Sequence, residues 1–377
     1  MSSRPDPRSG HRIFATKDFV YMIGGYSPSG RLDKTFTDVW RLNILTEKWR
    51  KCSLVKGLMP DCLASFSLVQ TNHPNEVFVY GGTGVPFGNS ASDDLYKINM
   101  SEDGEIQLQK SIITGEESLK PPRIYGHAMC FAQSYDEKQK TAASTTGYEY
   151  NIDVWKLQLS NNYLKTGTSV WESKLLTIRS HISSNQLITF GGGAPEFCAE
   201  FNYLLTFDLA TETFVNLKTT PDKQHGYPEG RKCHAIVEYK REVYIIGGCK
   251  DRLLGSNSRR ECKMTNDVWR LNLATKQWTK LNASLPQPVF FHSAAVTSEG
   301  CVYVFGGCTD VNSQSRTNKI FRMWLRPPTL RHLAMRALRK NYYYSQKRVD
   351  DMLLSNPNQV IRNLAVSKKY ACPEKCL

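Results

Sequence analysis

The chain has 377 residues, 40% of them hydrophobic and 11% aromatic, enough for a large core and incompatible with global disorder. No run approaches the ~18 uninterrupted apolar residues of a membrane-spanning helix, so no membrane association is expected. The net charge of +14 invites a nucleic-acid reading. However, the 52 residues from Arg326 onward carry 11 Lys/Arg against 3 Asp/Glu, so most of the excess belongs to the tail and no nucleic-acid partner is expected.

Residues 1–7 lack an apolar run and read as a disordered start without a secretory signal. The eleven cysteines, scattered without Cys-x-x-Cys pairs, then fit reduced thiols in the cytoplasm or nucleus. From residue 8 to 325 the chain is periodic. Diglycines end apolar runs at Gly24-Gly25, Gly81-Gly82, Gly191-Gly192, Gly247-Gly248 and Gly306-Gly307, spaced 57, 110, 56 and 59 residues apart. The 110 is two periods. A second mark runs in phase: Asp-Val-Trp at Asp38, Asp153 and Asp267, with Asp94-Leu-Tyr between the first two. The third unit lacks a diglycine but keeps its Asp-Val-Trp, whereas the fourth keeps its diglycine and has Asn202-Tyr-Leu-Leu instead. The two marks fail in different places, which gives six units.

Each complete unit reads as four short β-branched and aromatic strands. In the fifth these are His234–Tyr239, Glu242–Ile246, Val268–Asn272 and Gln277–Leu281. The second strand of each unit is expected to end at its diglycine, where two glycines remove the side chains that pack a sheet. Trp49 and Trp278 each fall nine residues after an Asp-Val-Trp tryptophan, a position suited to stacking between sheets. Four-stranded sheets repeated at roughly 50 residues predict an all-β, six-bladed β-propeller over 8–325, and the diglycine with its downstream Tyr/Trp strand resembles the kelch motif. In the third unit 131–147 is polar where a strand and diglycine belong, and that blade is expected to be degenerate. The sixth unit shows three strands and no evident fourth.

The glycine-rich Gly81–Gly88 lacks the Lys-Ser/Thr of a phosphate loop and precedes no helix pattern. His11, His127, His181, His234 and His292 recur at the start of first strands, a packing signature rather than a metal site. No catalytic residue, metal ligand or cofactor is expected. Arg8, Arg123, Arg179 and Arg231 also open first strands, which line a propeller's channel. Guanidiniums converging on one mouth suit a peptide's terminal carboxylate, through bidentate charge-assisted hydrogen bonds. Tyr125, Phe290 and Phe291 are the candidate apolar walls. The alternative for each arginine is a structural pairing from blade to blade.

After Trp324 the period becomes helical. Pro327-Pro328-Thr329 offers a helix start with Thr329 as N-cap, and Leu330, Leu333, Ala334, Ala337 and Leu338 form one apolar stripe. A second segment, Val349–Val366, holds Leu353, Leu354, Val360 and Ile361 around Pro357, and 367–377 reads as a disordered tail. Thr329-Leu330-x-x-x-Ala334-x-x-x-Leu338 matches the elongin-binding box of cullin–RING substrate receptors, with Ala where Cys is commonest.

On these residues, with Arg231-Lys-Cys-His234, Pro122-Arg-Ile-Tyr-Gly126 and Pro288-Val-Phe-Phe-His292, the chain from about 8 to 366 resembles the kelch domain-containing protein 10 family. The resemblance implies a non-enzymatic substrate receptor of a cullin-2 ubiquitin ligase. Its implied partners are elongin B/C, cullin-2 and a RING-box protein, with elongin bound by Thr329, Leu330, Leu333, Ala334 and Leu338 over 326–366. Leu353, Leu354, Pro357, Val360 and Ile361 would face cullin. The propeller would select substrate C-termini ending in small residues such as glycine or alanine. The reading from a different class is a kelch scaffold that regulates a signalling protein without ubiquitin transfer.

Overall fold

The computed structural model describes residues 4–29, 32–111, 113–114, 121–130, 144–145, 152–159, 164–169, 179–183, 186–194, 197–254, 259–330 and 332–334. Among the described residues its strands form six sheets of three to five strands in chain order, the blades of a propeller, and two small two-stranded sheets, Tyr26–Ser29 with Leu32–Thr35 and Gly193–Ala194 with Phe197–Cys198. The first blade is Arg12–Ala15, Phe19–Ile23, Val39–Asn43 and Trp49–Lys51, each strand antiparallel to the next. The second has Ser67–Gln70, Glu76–Tyr80, Leu95–Met100 and Glu105–Ser111, and the fourth has Arg179–Ser183, Gln186–Phe190, Tyr203–Asp208 and Thr213–Lys218.

The core lies between blades rather than within one sheet. Phe19–Ile23 is buried at every position. Its side chains alternate between two neighbours: Tyr21 and Ile23 pack with Leu63, Phe66, Val77 and Val79 of the second blade. Val20 and Met22 pack with Tyr303 and Phe305 of the sixth. A second strand therefore reads as a continuous apolar run because both faces are covered, and alternation survives only at the edges. Trp278, fully buried, crosses from the fifth blade to donate its indole N–H to the Phe201 carbonyl at 3.1 Å, and Trp49 meets Phe305 of the sixth blade edge-on.

The chain leaving one blade's outer strand lies parallel on the next blade's outer strand. Ser53–Lys56 pairs in this way with Glu105–Ser111, Ile113–Thr114 with Leu164–Ser169, and Thr220 with Gln277. In the third blade Ile152–Leu159 pairs with Leu164–Ser169, and Ser144–Thr145 pairs with Ile152 and Asp153. The other residues of the expected degenerate stretch 131–147 lie outside the described residues.

Among the described residues the sixth blade has three strands, Ser293–Val296, Cys301–Phe305 and Ile320–Trp324. The N-terminal segment adds no strand to it. Instead Arg8–His11 fills the inner seam between the sixth blade and the first: Gly307 N–H donates to the Arg8 carbonyl at 2.9 Å and Gly10 N–H to that of Phe291 at 3.0 Å.

The fifth blade departs from expectation. Its second and third strands do not stop at Gly247-Gly248 but run on as Glu242–Leu254 and Arg259–Asn272, forming a two-stranded ribbon beyond the sheet. The two glycines, at φ of +59° and +101°, absorb a register shift between Ile246 and Gly248, so the diglycine bends the ladder without ending it. The other strands of this blade are Ala235–Tyr239 and Trp278–Ser284.

Candidate functional site

One unit of seam geometry repeats around the ring. The second glycine of each diglycine donates its N–H to a carbonyl three residues ahead of the next blade's first-strand His or Phe. The pairs are Gly25 to Leu63, Gly82 to Ile124, Gly192 to Arg231, Gly248 to Val289 and Gly307 to Arg8, at 2.7–2.9 Å. The ring of His11, His127, His234 or His292 then lies over the first glycine, where a Cβ would come within 2.5–3.0 Å of the imidazole Cε1. His11 and His292 also bond the carbonyls of Phe305 and Ile246, each at 3.0 Å. Burial, reinforced by Arg8 and Arg12, pushes the His11 pKa well below 6.5 and keeps it neutral. These histidines are inter-blade latches. The described residues contain no group of three His, Cys, Asp or Glu able to hold a metal.

The arginine at the position of that carbonyl has a fixed partner. Arg8, with no exposed surface, grips Asp38 through Nη1 at 2.6 Å and Nη2 at 3.4 Å, and its guanidinium lies 3.7 Å from the centre of Phe36. Arg231, 1% exposed, grips Asp267 at 2.5 and 3.2 Å and donates to the Gly247 carbonyl and the Thr265 hydroxyl. Trp40 and Trp269 donate their indole N–H groups to the same aspartates at 2.8 and 2.7 Å. Burial would raise both carboxyl pKa values; the arginine and tryptophan donors outweigh it and hold them below the ordinary aspartate value. At Asp38 and Asp267 the Asp-Val-Trp mark is therefore the acceptor half of a clasp whose donor precedes the first strand. Register decides which arginines join: Arg123 is one residue early, so its side chain is 74% exposed, 3.7 Å from Asp93. In the second blade Leu63 takes the arginine's place, and Asp94 binds Lys110 and the Tyr96 hydroxyl instead. Arg179 lies in the first strand of its blade, opposite Phe190, and its side chain is outside the described residues.

One residue ahead of each latch, the chain turns left-handed. Gly10, Ser65, Gly126, Cys233 and Phe291 have φ of +65°, +54°, +76°, +55° and +54°. Their backbones link around the channel: Phe291 N–H to Cys233 O, Gly10 to Phe291, Ser65 to Gly10 and Gly126 to Ser65, at 2.7–3.0 Å. Below this collar lies a cavity of about 200 Å³ lined by Arg12, Ser67, His127, Ala235, His292 and Ser293 among others.

Above the collar an aromatic rail crosses three blades. Tyr26, whose backbone pairs with Ser9, stands 5.0 Å from Phe87, and Phe87 stands 5.6 Å from Tyr125. Arg316 of the sixth blade stacks on Tyr26 at 5.0 Å, bonds Ser9 Oγ and the Ser313 carbonyl, and has no acidic partner among the described residues. Of the expected walls, Tyr125 is on this rail. Phe291 is in the collar, partly buried, and Phe290 is buried against Cys233, Cys249 and Cys308. Tyr26, Phe87 and Arg316 were not among the expected walls: Tyr26 opens the short strand Tyr26–Ser29 after the first diglycine, and Phe87 and Arg316 sit in connections that differ between units.

Behind the propeller, Thr329 caps a helical turn at Leu330 and His332–Ala334: its Oγ1 accepts from the His332 N–H at 3.2 Å, and Leu333 N–H donates to its carbonyl. His332 is buried edge-on against Trp324, with Nδ1 3.6 Å from the Glu299 carboxylate, which fixes where the turn leaves the sixth blade. Leu330 is 85% and Leu333 47% exposed, and Ala334 is exposed. Leu338, Leu353, Leu354, Pro357, Val360 and Ile361 lie outside the described residues.

The KLHDC2/KLHL20/DRC7 Kelch-repeats domain family matches residues 145–329. A solved structure of YjhT superposes with a TM-score of 0.60 at 12% identity, covering 87% of this chain and 97% of that one, a likeness of fold. Human kelch domain-containing protein 10 is 34% identical over 349 residues, 89% of this chain and 74% of its own length. The Xenopus laevis protein of that name is 33% identical, covering 90% of this chain and 80% of its own length. The Drosophila melanogaster homolog is 30% identical, covering 90% and 58%. Kelch repeats of this kind are non-enzymatic binding scaffolds, which gives the propeller a protein-interaction role. The repeat, the clasps and these relatives agree: the chain belongs to the kelch domain-containing protein 10 family.

Proposed function

We propose that this chain is a substrate receptor of a cullin-2–elongin B/C ubiquitin ligase with its RING-box protein, acting in the cytoplasm or nucleus. The observation that carries the reading is the Thr329-capped turn, pinned by His332 while Leu330, Leu333 and Ala334 face outward. An apolar stripe held open on a rigid stem suits a helix-in-groove partner. All nine described cysteines are free thiols, in keeping with a reducing compartment.

The propeller presents the substrate's C-terminus to the collar and rail. Arg8 and Arg231 are spent on Asp38 and Asp267, so the carboxylate is assigned to Arg316, stacked on the rail, and to the exposed Arg123, two residues before Tyr125. Gly10, Ser65 and Gly126 give that side of the collar short side chains, and selection of small terminal residues is assigned to it. The test is binding of paired peptides ending in free or amidated Gly or Ala. The free acid is expected to bind at least tenfold tighter, with most of that margin lost on Arg316→Met; equal affinities would refute the carboxylate role.

A further inference from the structure

Four of the described thiols gather beside the collar. Cys233, Cys249 and Cys308 are buried with Phe290, and Cys262, Met264 and the collar residue Phe291 pack against them. Cys52, Cys62, Cys130, Cys198 and Cys301 lie outside this cluster. Cys249 is its hub. The thiols of Cys233 and Cys262 hydrogen-bond to it and, together with burial, push its pKa up, so it keeps its proton at neutral pH. Cys249 is 2% exposed, whereas Cys262 is half-buried and is the member of the pair that meets solvent. Register makes the two neighbours: Cys249 pairs with Met264 and Cys262 with Asp251, so they stand on one face of the ribbon as a cross-strand diagonal. Such a diagonal spans about 7–8 Å between Cα atoms, against roughly 4.4–6.8 Å in a relaxed disulfide, so bonding draws the strands together by about 1 Å. Among the described residues, the strand of Cys262 pairs there with that of Cys249 alone, so this shift breaks no second ladder.

We propose that Cys262 and Cys249 are an oxidation site for hydroperoxides, Cys262 reacting first and Cys249 closing a disulfide with it. In the first step the Cys262 sulfur attacks a peroxide oxygen and the O–O bond breaks. Cys262 becomes a sulfenic acid, and the thiol proton leaves with the other oxygen as an alcohol, or as water from hydrogen peroxide. In the second step the Cys249 sulfur displaces the sulfenic hydroxyl, which departs with the Cys249 proton as water. Two thiols lose two electrons and one peroxide gains them. Thiol reductants return the pair to its resting state by exchange, as suits a transient disulfide in a reducing compartment.

The experiment treats the reduced full-length chain with equimolar hydrogen peroxide, blocks the remaining thiols by alkylation and maps disulfide-linked peptides by mass spectrometry. The Cys249–Cys262 link is expected to exceed any other cysteine pair at least tenfold and to vanish on dithiothreitol. Cys249→Ser is expected to remove the link and to raise dimedone-trapped sulfenic acid at Cys262 at least fivefold, because the closing thiol is gone. Cys262→Ser, at a partly exposed position, is expected to remove the same link and keeps the test open should Cys249→Ser fail to fold. Cys62→Ser, also half-buried but outside the cluster, is expected to leave the link within twofold. No Cys249–Cys262 link, links spread evenly among the cysteines, or oxidation of wild-type Cys262 to sulfonic acid without a link would each overturn the proposal. Every outcome is read in the isolated chain, so failure here leaves the receptor reading untouched.

Discussion

Replacing Arg231 by Met separates a structural clasp from a ligand contact. The substitution keeps the aliphatic stem but removes the guanidinium that bonds Asp267, Thr265 and the Gly247 carbonyl. Removing one partner of a buried pair costs about 3–5 kcal/mol, because the remaining charge is stranded. Asp267 keeps the Trp269 donor and its side chain is 24% exposed, which places the expected loss at the lower end, about 3 kcal/mol. Urea unfolding of wild type, Arg231→Met, Asp267→Asn and the double variant closes a double-mutant cycle. The expected coupling is about 2 kcal/mol, the double variant losing much less than the sum. Stability within about 0.5 kcal/mol of wild type, combined with loss of peptide binding, would refute the clasp and return Arg231 to the ligand site.

Gly306→Ala places a Cβ 2.5 Å from His11 Cε1 and 2.7 Å from the Arg8 carbonyl at the closing seam, whereas Gly226→Ala, also left-handed at φ +71°, meets nothing within 4 Å. The first is expected to lose about 3 kcal/mol and the second about 1 kcal/mol by thermal unfolding, since backbone strain acts in both and collision in one. The lowered pKa of His11 has a defined sign: its contribution is complete above the unfolded value of 6.5 and is lost as pH falls from 6.5 toward the folded value. His11→Phe, the residue type found at the matching position Phe66, is expected to flatten the fall of melting temperature with pH in that window. An unchanged slope would mean that the latch is not a neutral histidine.

The architecture was legible because a propeller repeats its constraints. The diglycines recur since the seams that carry them make the same close backbone approach, as at Gly24 or Gly306, and the Asp-Val-Trp marks at Asp38 and Asp267 supply the same acceptor. What the marks do to one another was not legible. Arg231 and Asp267 lie 36 positions apart, and only the fold shows that they close one clasp while Arg123, a single residue out of register, stays in solvent. The rail of Tyr26, Phe87 and Tyr125 comes from three non-equivalent places in their units, so periodicity is blind to it. The ribbon was hidden for the opposite reason: Gly247-Gly248 carries the mark that ends a strand elsewhere, and only the bulge lets pairing continue to Leu254.

The receptor account is tested most directly by affinity purification of the full-length wild type beside Leu330→Asp. Leu330 is 85% exposed, so the substitution is expected to leave melting temperature unchanged, a difference of less than about 0.5 kcal/mol in stability. The account predicts elongin B, elongin C and cullin-2 with the wild type and their loss from the variant at equal bait recovery. Absence of all three from the wild type, or their undiminished recovery with Leu330→Asp, would contradict it.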